Sequence, residues 1–207
     1  MRRKILTWCF TTMALGMAQQ QSRTPSASLN PCPGGTGSAE IDPVSTPSTL
    51  DQLVRSSQLI VVGTVSSVLP AFVTNPEHLN SIETDSLVSV RQVLDGTLPF
   101  GTTTITLGQT GGKAGPCGLV VPADPLVVSG EEYLLFLRTD TRAQPLNGSG
   151  FTRYYTVGVW SGKVKVVNGK IQFRPSATAP LHKYDGINLN DFLALLTPIV
   201  EIVHPKK

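Results

Sequence analysis

Cysteines, histidines, serines and one glycine-rich lysine loop are the places where this 207-residue chain could do chemistry. Cys32, flanked by Pro31 and Pro33, and Cys117, inside Gly115-Pro116-Cys117-Gly118, stand apart in the sequence; Cys9 lies in an N-terminal apolar stretch. Isolated cysteines and three scattered histidines, His78, His182 and His204, lack the short spacings of a metal site, so no metal is expected. General acid-base work by a histidine needs a partner that no spacing here supplies, and all three fall in polar loops or the tail. Asn147-Gly148-Ser149-Gly150 lacks the glycine two residues before the serine that a nucleophile elbow requires. In a eukaryotic source, Asn147-Gly148-Ser149 would be a glycosylation sequon. Gly108-Gln109-Thr110-Gly111-Gly112-Lys113 invites comparison with a phosphate-binding loop, which needs a glycine five residues before the last one and Ser or Thr after the lysine. Leu107 and Ala114 occupy those places, and Pro116 opposes the helix whose N-terminus would hold the phosphate. No cofactor and no catalytic residue are therefore expected, and a secreted hydrolase is the least favoured function.

The N-terminus determines the compartment. Arg2, Arg3 and Lys4 precede an apolar run from Ile5 to Met17, and Gly16-Met17-Ala18 ends in small residues, so a signal peptide over 1–18 cleaved after Ala18 is expected. That run is shorter than the roughly 20 residues of a membrane span, and no later segment is long or apolar enough for one. The mature chain is expected to be exported: periplasmic, extracellular or held at the cell surface. Cleavage removes three basic residues and leaves fourteen of each sign, so the net charge of +3 belongs to the precursor. With no basic excess and no run longer than Lys206-Lys207, nucleic-acid binding is not expected. Cys9 leaves with the signal, and Leu6-Thr7-Trp8 before it rules out a lipoprotein cysteine. In an oxidising compartment the simplest reading of Cys32 and Cys117 is one disulfide, which stabilises a long closed loop by about 4 kcal/mol.

These residues need a frame. Residues 19–47 are rich in Gln, Ser, Thr, Pro and Gly and bury too little to offset ordering, so they read as a flexible leader. Residues 48–207 are enough for one domain with a sizeable core. A helix is predicted over Ser48–Ser56, with Ser48 as cap and Asp51 three residues on. Strands follow at Leu59–Val65, apolar on both faces with a bulge at Gly63, at Ser86–Leu94, and at Thr103–Leu107. Residues 108–130 read as an irregular connection holding Cys117, and further strands are predicted at Glu132–Arg138 and Tyr154–Trp160. Asn168-Gly169 supplies a type I′ hairpin turn that sets Lys165 opposite Gln172 and Val166 opposite Ile171, gathering Val164, Val166, Ile171 and Phe173 on one face. A last helix opens at Asn188 with the stripe Leu189, Phe192, Leu193 and Leu196, and Pro198 should end or kink it.

The fold class is mainly β: a five- to six-stranded OB-type barrel with an extra Asn168-Gly169 hairpin, a short N-terminal helix and a C-terminal helix. Three segments in order, Ser57-Gln58-Leu59-Ile60-Val61-Val62-Gly63-Thr64-Val65, Val90-Arg91-Gln92-Val93-Leu94-Asp95-Gly96 and Gly130-Glu131-Glu132-Tyr133-Leu134-Leu135-Phe136-Leu137, look alike in a known family. With Trp160-Ser161-Gly162-Lys163 before the hairpin, they resemble the netrin-like, tissue-inhibitor-of-metalloproteinase-like OB-fold domains of secreted proteins, over roughly Thr49 to Val203. The resemblance implies that Cys32 and Cys117 tether the N-terminal segment to the barrel. In the inhibitors a mature N-terminal cysteine chelates the protease zinc, whereas Gln19 is the expected terminus here and Cys32 is internal.

The loop from Pro70 to Asp85 is longer than a hairpin needs and, in the inhibitors, the corresponding loop touches the protease. Phe72, Pro76, Glu77, His78 and Ile82 are its candidate partner-binding residues. The function expected is thus a non-enzymatic exported module that binds another exported protein through this loop and the Cys117 connection. The alternative is a glycan-binding barrel, which requires an exposed platform of Tyr154, Tyr155 and Trp160.

Overall fold

The computed structural model describes residues 35–39, 46–74, 82–99, 101–141 and 151–205. The predicted signal peptide, Cys32, Pro76, Glu77, His78 and the Asn147 sequon lie outside these residues. In chain order the elements are β1 (Thr36–Ser38), α1 (Leu50–Ser56), β2 (Leu59–Val68), β3 (Phe72–Val73), β4 (Ile82–Asp95), β5 (Thr104–Thr110), β6 (Gly112–Ala114) and β7 (Cys117–Val120). There follow β8 (Glu132–Thr139), β9 (Arg153–Thr156), β10 (Lys163–Val167), β11 (Lys170–Gln172), α2 (Ala179–His182) and α3 (Leu189–Val203).

Five strands close into a barrel in the order β8-β2-β4-β5-β9, with β9 pairing back onto β8. Every neighbouring pair is antiparallel except β5 and β9, which run parallel. This is the connectivity of an OB-type, Greek-key barrel. The β10–β11 hairpin extends the sheet beyond β8, and β1, β7 and β6 form a separate three-stranded sheet.

The near-continuous apolarity of β2 and β8 has a geometric cause. Leu59, Val61, Tyr133, Leu135 and Leu137 point into the barrel, while Ile60, Val62, Leu134 and Phe136 face a second core made with α1, α3 and the hairpin. A strand buried on both faces has no polar side to alternate with. Gly63 sits at a register shift as predicted, and a Cβ there would come within 2.7 Å of Ser89 O and 2.8 Å of Val88 Cγ1. The hairpin has the predicted register, Lys165 opposite Gln172 and Val166 opposite Ile171. Asn168 and Gly169 take φ of 51° and 73° at its turn.

Other expectations are corrected. Thr49, not Ser48, caps α1: its Oγ1 accepts from Gln52 N–H at 3.2 Å, and Gln52 Oε1 accepts from Ser48 N–H at 2.7 Å. The capping pair is shifted by one residue, with Leu50, Leu53 and Val54 on the buried face of the helix. α3 does not end at Pro198. Pro198 and Ala194, whose carbonyl loses its helical donor, are both on the exposed side, where water can satisfy that group. The predicted fifth strand stops at Thr156, where Gly158 and Val159 turn the chain with positive φ. The connection predicted to be irregular contains the β6–β7 hairpin. Among the described residues no helix is long and apolar enough to cross a membrane.

Candidate functional site

The loop expected to bind a partner is shorter than the sequence suggested. Phe72 pairs with Glu83 and Val73 with Ile82, so β3 lies on β4 and both ends of the predicted loop belong to the sheet. Ile82 is only 1% exposed and packs in the core. Its assignment as a partner-binding residue is therefore wrong, because β4 starts at that residue and turns its side chain inward. Phe72 is half-buried at the loop's base. β3 also packs against β6 of the Cys117 hairpin, some forty residues further along the chain. Thr84 Oγ1–H donates to Gly111 C=O at 2.6 Å across this junction. Gly112, at φ 122°, leaves room for it: a Cβ would lie 2.7 Å from Ala71 Cβ and inside contact distance of Thr84 Oγ1.

The hairpin carries the leader on its other edge. Thr36, Gly37 and Ser38 pair in parallel with Gly118, Leu119 and Val120. All three β1 residues are exposed. Backbone hydrogen bonds worth about 1 kcal/mol each here meet an ordering cost of about 1–2 kcal/mol per residue, so β1 is held near balance. Beside it runs a groove of about 440 Å³ whose walls include Leu119, Val121, Leu126 and Gly111. Cys117 heads β7 and is not a free thiol. Cys32 lies outside the described residues, so their pairing remains a proposal.

A charged pocket faces the same end. Tyr154 points into the barrel, so its neighbours Arg153 and Tyr155 point outward from β9. Arg153 Nη2 donates to Glu83 Oε2 at 2.5 Å, Nε to Asp85 Oδ1 at 2.8 Å, and Nη1 to Asp140 Oδ2. None of the four side chains is more than 11% exposed. The guanidinium lies flat against Gly108, where any Cβ would collide with it. Burial is the largest influence on Asp85 and holds its carboxyl above the ordinary value, despite the pull of Arg153. Burial also opposes the charge of Arg153, but the three carboxylates more than offset it and raise its pKa. The pocket outside this cluster, about 440 Å³, is lined by Gln109, Thr110, Asp140, Arg153 and Tyr155. Asp124 lines both pocket and groove, and its Oδ1 sits 2.5 Å from the fully buried Lys163 Nζ. Burial lowers the Lys163 pKa, and Asp124 pulls it back only in part. Among the described residues no His, Cys, Asp and Glu side chains group to hold a metal ion.

The aromatic platform of the glycan reading is not formed. Tyr154 and Trp160 are 4% and 9% exposed, and only Tyr155, at 38%, reaches solvent. Tyr154 is an inward residue of β9, and Trp160 packs against the helices rather than the pocket. The Arg153 cluster and the Lys163–Asp124 pair escaped the sequence reading. Their members come from distant strands, and the one local sign was a charged residue beside buried apolar ones in Ile82-Glu83-Thr84-Asp85 and Lys163-Val164.

His182 and His204 are structural. His204 Nδ1 meets Asp95 Oδ2 at 2.5 Å and fastens the end of α3 to β4. His182 Nδ1 lies 2.8 Å from Asp185 Oδ2, and Asp185 Oδ1 accepts from Phe173 N–H at 2.6 Å. The Asp185 hydrogen bond raises the His182 pKa above 6.5. A raised folded-state pKa gives stability that is fully present below the unfolded value and lost as pH rises through the folded one. Thermal melts should show a stability difference between wild type and His182→Gln at pH 5.5 that shrinks at pH 8.5. A difference that is flat or grows with pH would contradict this ion pair.

No protein-family model matches the chain, and no curated protein matches it.

Proposed function

We propose that this chain is an exported, non-enzymatic protein-binding module whose contact surface is the barrel end where β3, the first loop and the Cys117 hairpin meet. One observation carries this reading: β3 and β6 are in contact, so the two segments singled out for recognition form one surface. That surface borders the outer face of β4 and β5, the second and third barrel strands, which is where OB barrels receive ligands. Export after cleavage at Ala18 belongs to the proposal, as does a Cys32–Cys117 disulfide tethering the leader beside β1. Through the netrin-like resemblance, a protease is one class of partner to test.

The test is affinity capture from the exported protein fraction with the full mature chain. Replacement of residues 74–81 by a short Gly-Ser link should cost the partner at least about tenfold in recovery, equivalent to roughly 1.4 kcal/mol. Leu195→Glu and Ile202→Glu, on the exposed side of α3, should leave recovery unchanged. Undiminished capture by the loop replacement would overturn the assignment.

A further inference from the structure

Lys163 and Asp124 are an amine and a carboxyl pressed together out of water. Their side chains are 0% and 5% exposed, with Nζ 2.5 Å from Oδ1. Oδ1 has no donor in hydrogen-bond geometry, and Nζ donates to Pro125 C=O at 3.1 Å. Distant side chains pin both flanks of the carboxyl. Ser176 Oγ–H donates to Ala123 C=O at 2.5 Å, and Gln109 Oε1 accepts from Val127 N–H at 2.9 Å. Burial above all, and the charge of Arg174 in lesser part, favour the uncharged amine against the pull of Asp124. Pro125 has no N–H, so the backbone attack that turns an aspartyl side chain into a succinimide is closed to Asp124. Nζ is the nucleophile at hand.

We propose that Lys163 and Asp124 condense into an amide, Nζ to Cγ, which ties the 121–126 connection covalently to the first residue of β10. The inference stands apart from the protein-binding reading. Asp124 takes a proton from Lys163 Nζ, since a dry site disfavours two separate charges and lets a neutral amine and acid replace the ion pair. The Nζ lone pair then attacks Cγ, an N–H proton passes to the hydroxyl, the C–O bond breaks and water leaves. No oxidant, reductant or cofactor enters the balance. The rate comes from placement, because reacting groups held in one fold meet at an effective concentration of about 10⁵ M or more when well oriented. The water has a way out, since Asp124 borders both the pocket and the groove. The product keeps one N–H on Nζ for Pro125 C=O. It also fixes the wall that the pocket and the groove share.

Intact-mass spectrometry of the folded, full mature chain after thiol reduction tests this directly. The chain should be lighter than its sequence by one water molecule. Trypsin acting on the denatured chain should spare Lys163 and yield one branched species that joins residues 114–138 to residues 154–165. That species separates the amide from loss of ammonia at an N-terminal Gln19. Asp124→Asn should form the same bond with ammonia as the leaving group, so it should be lighter than its own sequence by one ammonia and give the same branched species. Lys163→Met should have the full mass of its sequence and no branch. The Asp124→Asn result does not depend on the folding of Lys163→Met. A folded wild-type chain of full sequence mass, or a water deficit that persists in Lys163→Met, would overturn the proposal.

Discussion

Arg153→Leu is expected to be the most damaging single substitution in the barrel. It removes the guanidinium that the buried carboxylates of Glu83, Asp85 and Asp140 share. Removing one partner of a buried ion pair costs about 3–5 kcal/mol, a large share of the roughly 5–15 kcal/mol that holds a domain together. At about 2–4 °C per kcal/mol for a chain of this size, the melting temperature should fall by roughly 6–20 °C. The position explains the severity. β9 closes the barrel through two residue pairs with β5 and three with β8, and Arg153 ties it to both β4 and the end of β8. Asp85→Asn should cost much less, because Glu83 and Asp140 still offset the charge and an amide oxygen can accept from Nε. The Arg153→Leu protein should recover stability as pH falls, since protonation relieves the buried charge of Asp85, whose carboxyl pKa burial already raises. Denaturant melts of the two variants from pH 4 to pH 8 test all three statements. Equal losses for both would show that the cluster acts by packing alone.

Lys163→Met should come next. Methionine fills the space of the lysine stem but leaves Asp124 buried without its ammonium partner. The loss expected is again about 3–5 kcal/mol. Lys163 Nζ also donates to Pro125 C=O at 3.1 Å, so the substitution loosens the 121–126 connection that walls the groove. The double variant Lys163→Met with Asp124→Asn should regain much of the loss, because replacing both members of a buried pair by neutral groups removes the unpaired charge. A double variant no better than Lys163→Met would mean that the pair contributes through its individual contacts and not through its charges.

Much of the framework was legible in the sequence because it rests on local chemistry. Asn168-Gly169 specifies a turn through two positive φ values, and the flanking alternation allows one register only. β2 announced burial on both faces through its unbroken apolar run, and the α3 stripe marked one helix face. The misreadings have equally physical causes. Ile82 looked like a loop residue because its neighbours Ser81, Glu83 and Asp85 are polar, yet two of those polar side chains are satisfied by Arg153 on another strand. Tyr154 and Trp160 could have been platform or core on composition alone, since an aromatic ring has the same propensity in either place.

By itself, then, the sequence determined which segments pair with their near neighbours, which faces are apolar, and an expected route of export, all consequences of interactions a few residues long. Tertiary structure alone decided that β3 meets the Cys117 hairpin, that the leader strand takes the β7 edge, and that three carboxylates converge on Arg153. Those contacts join residues far apart in sequence. Their free energy comes from burial and charge neutralisation that exist only once the barrel has closed.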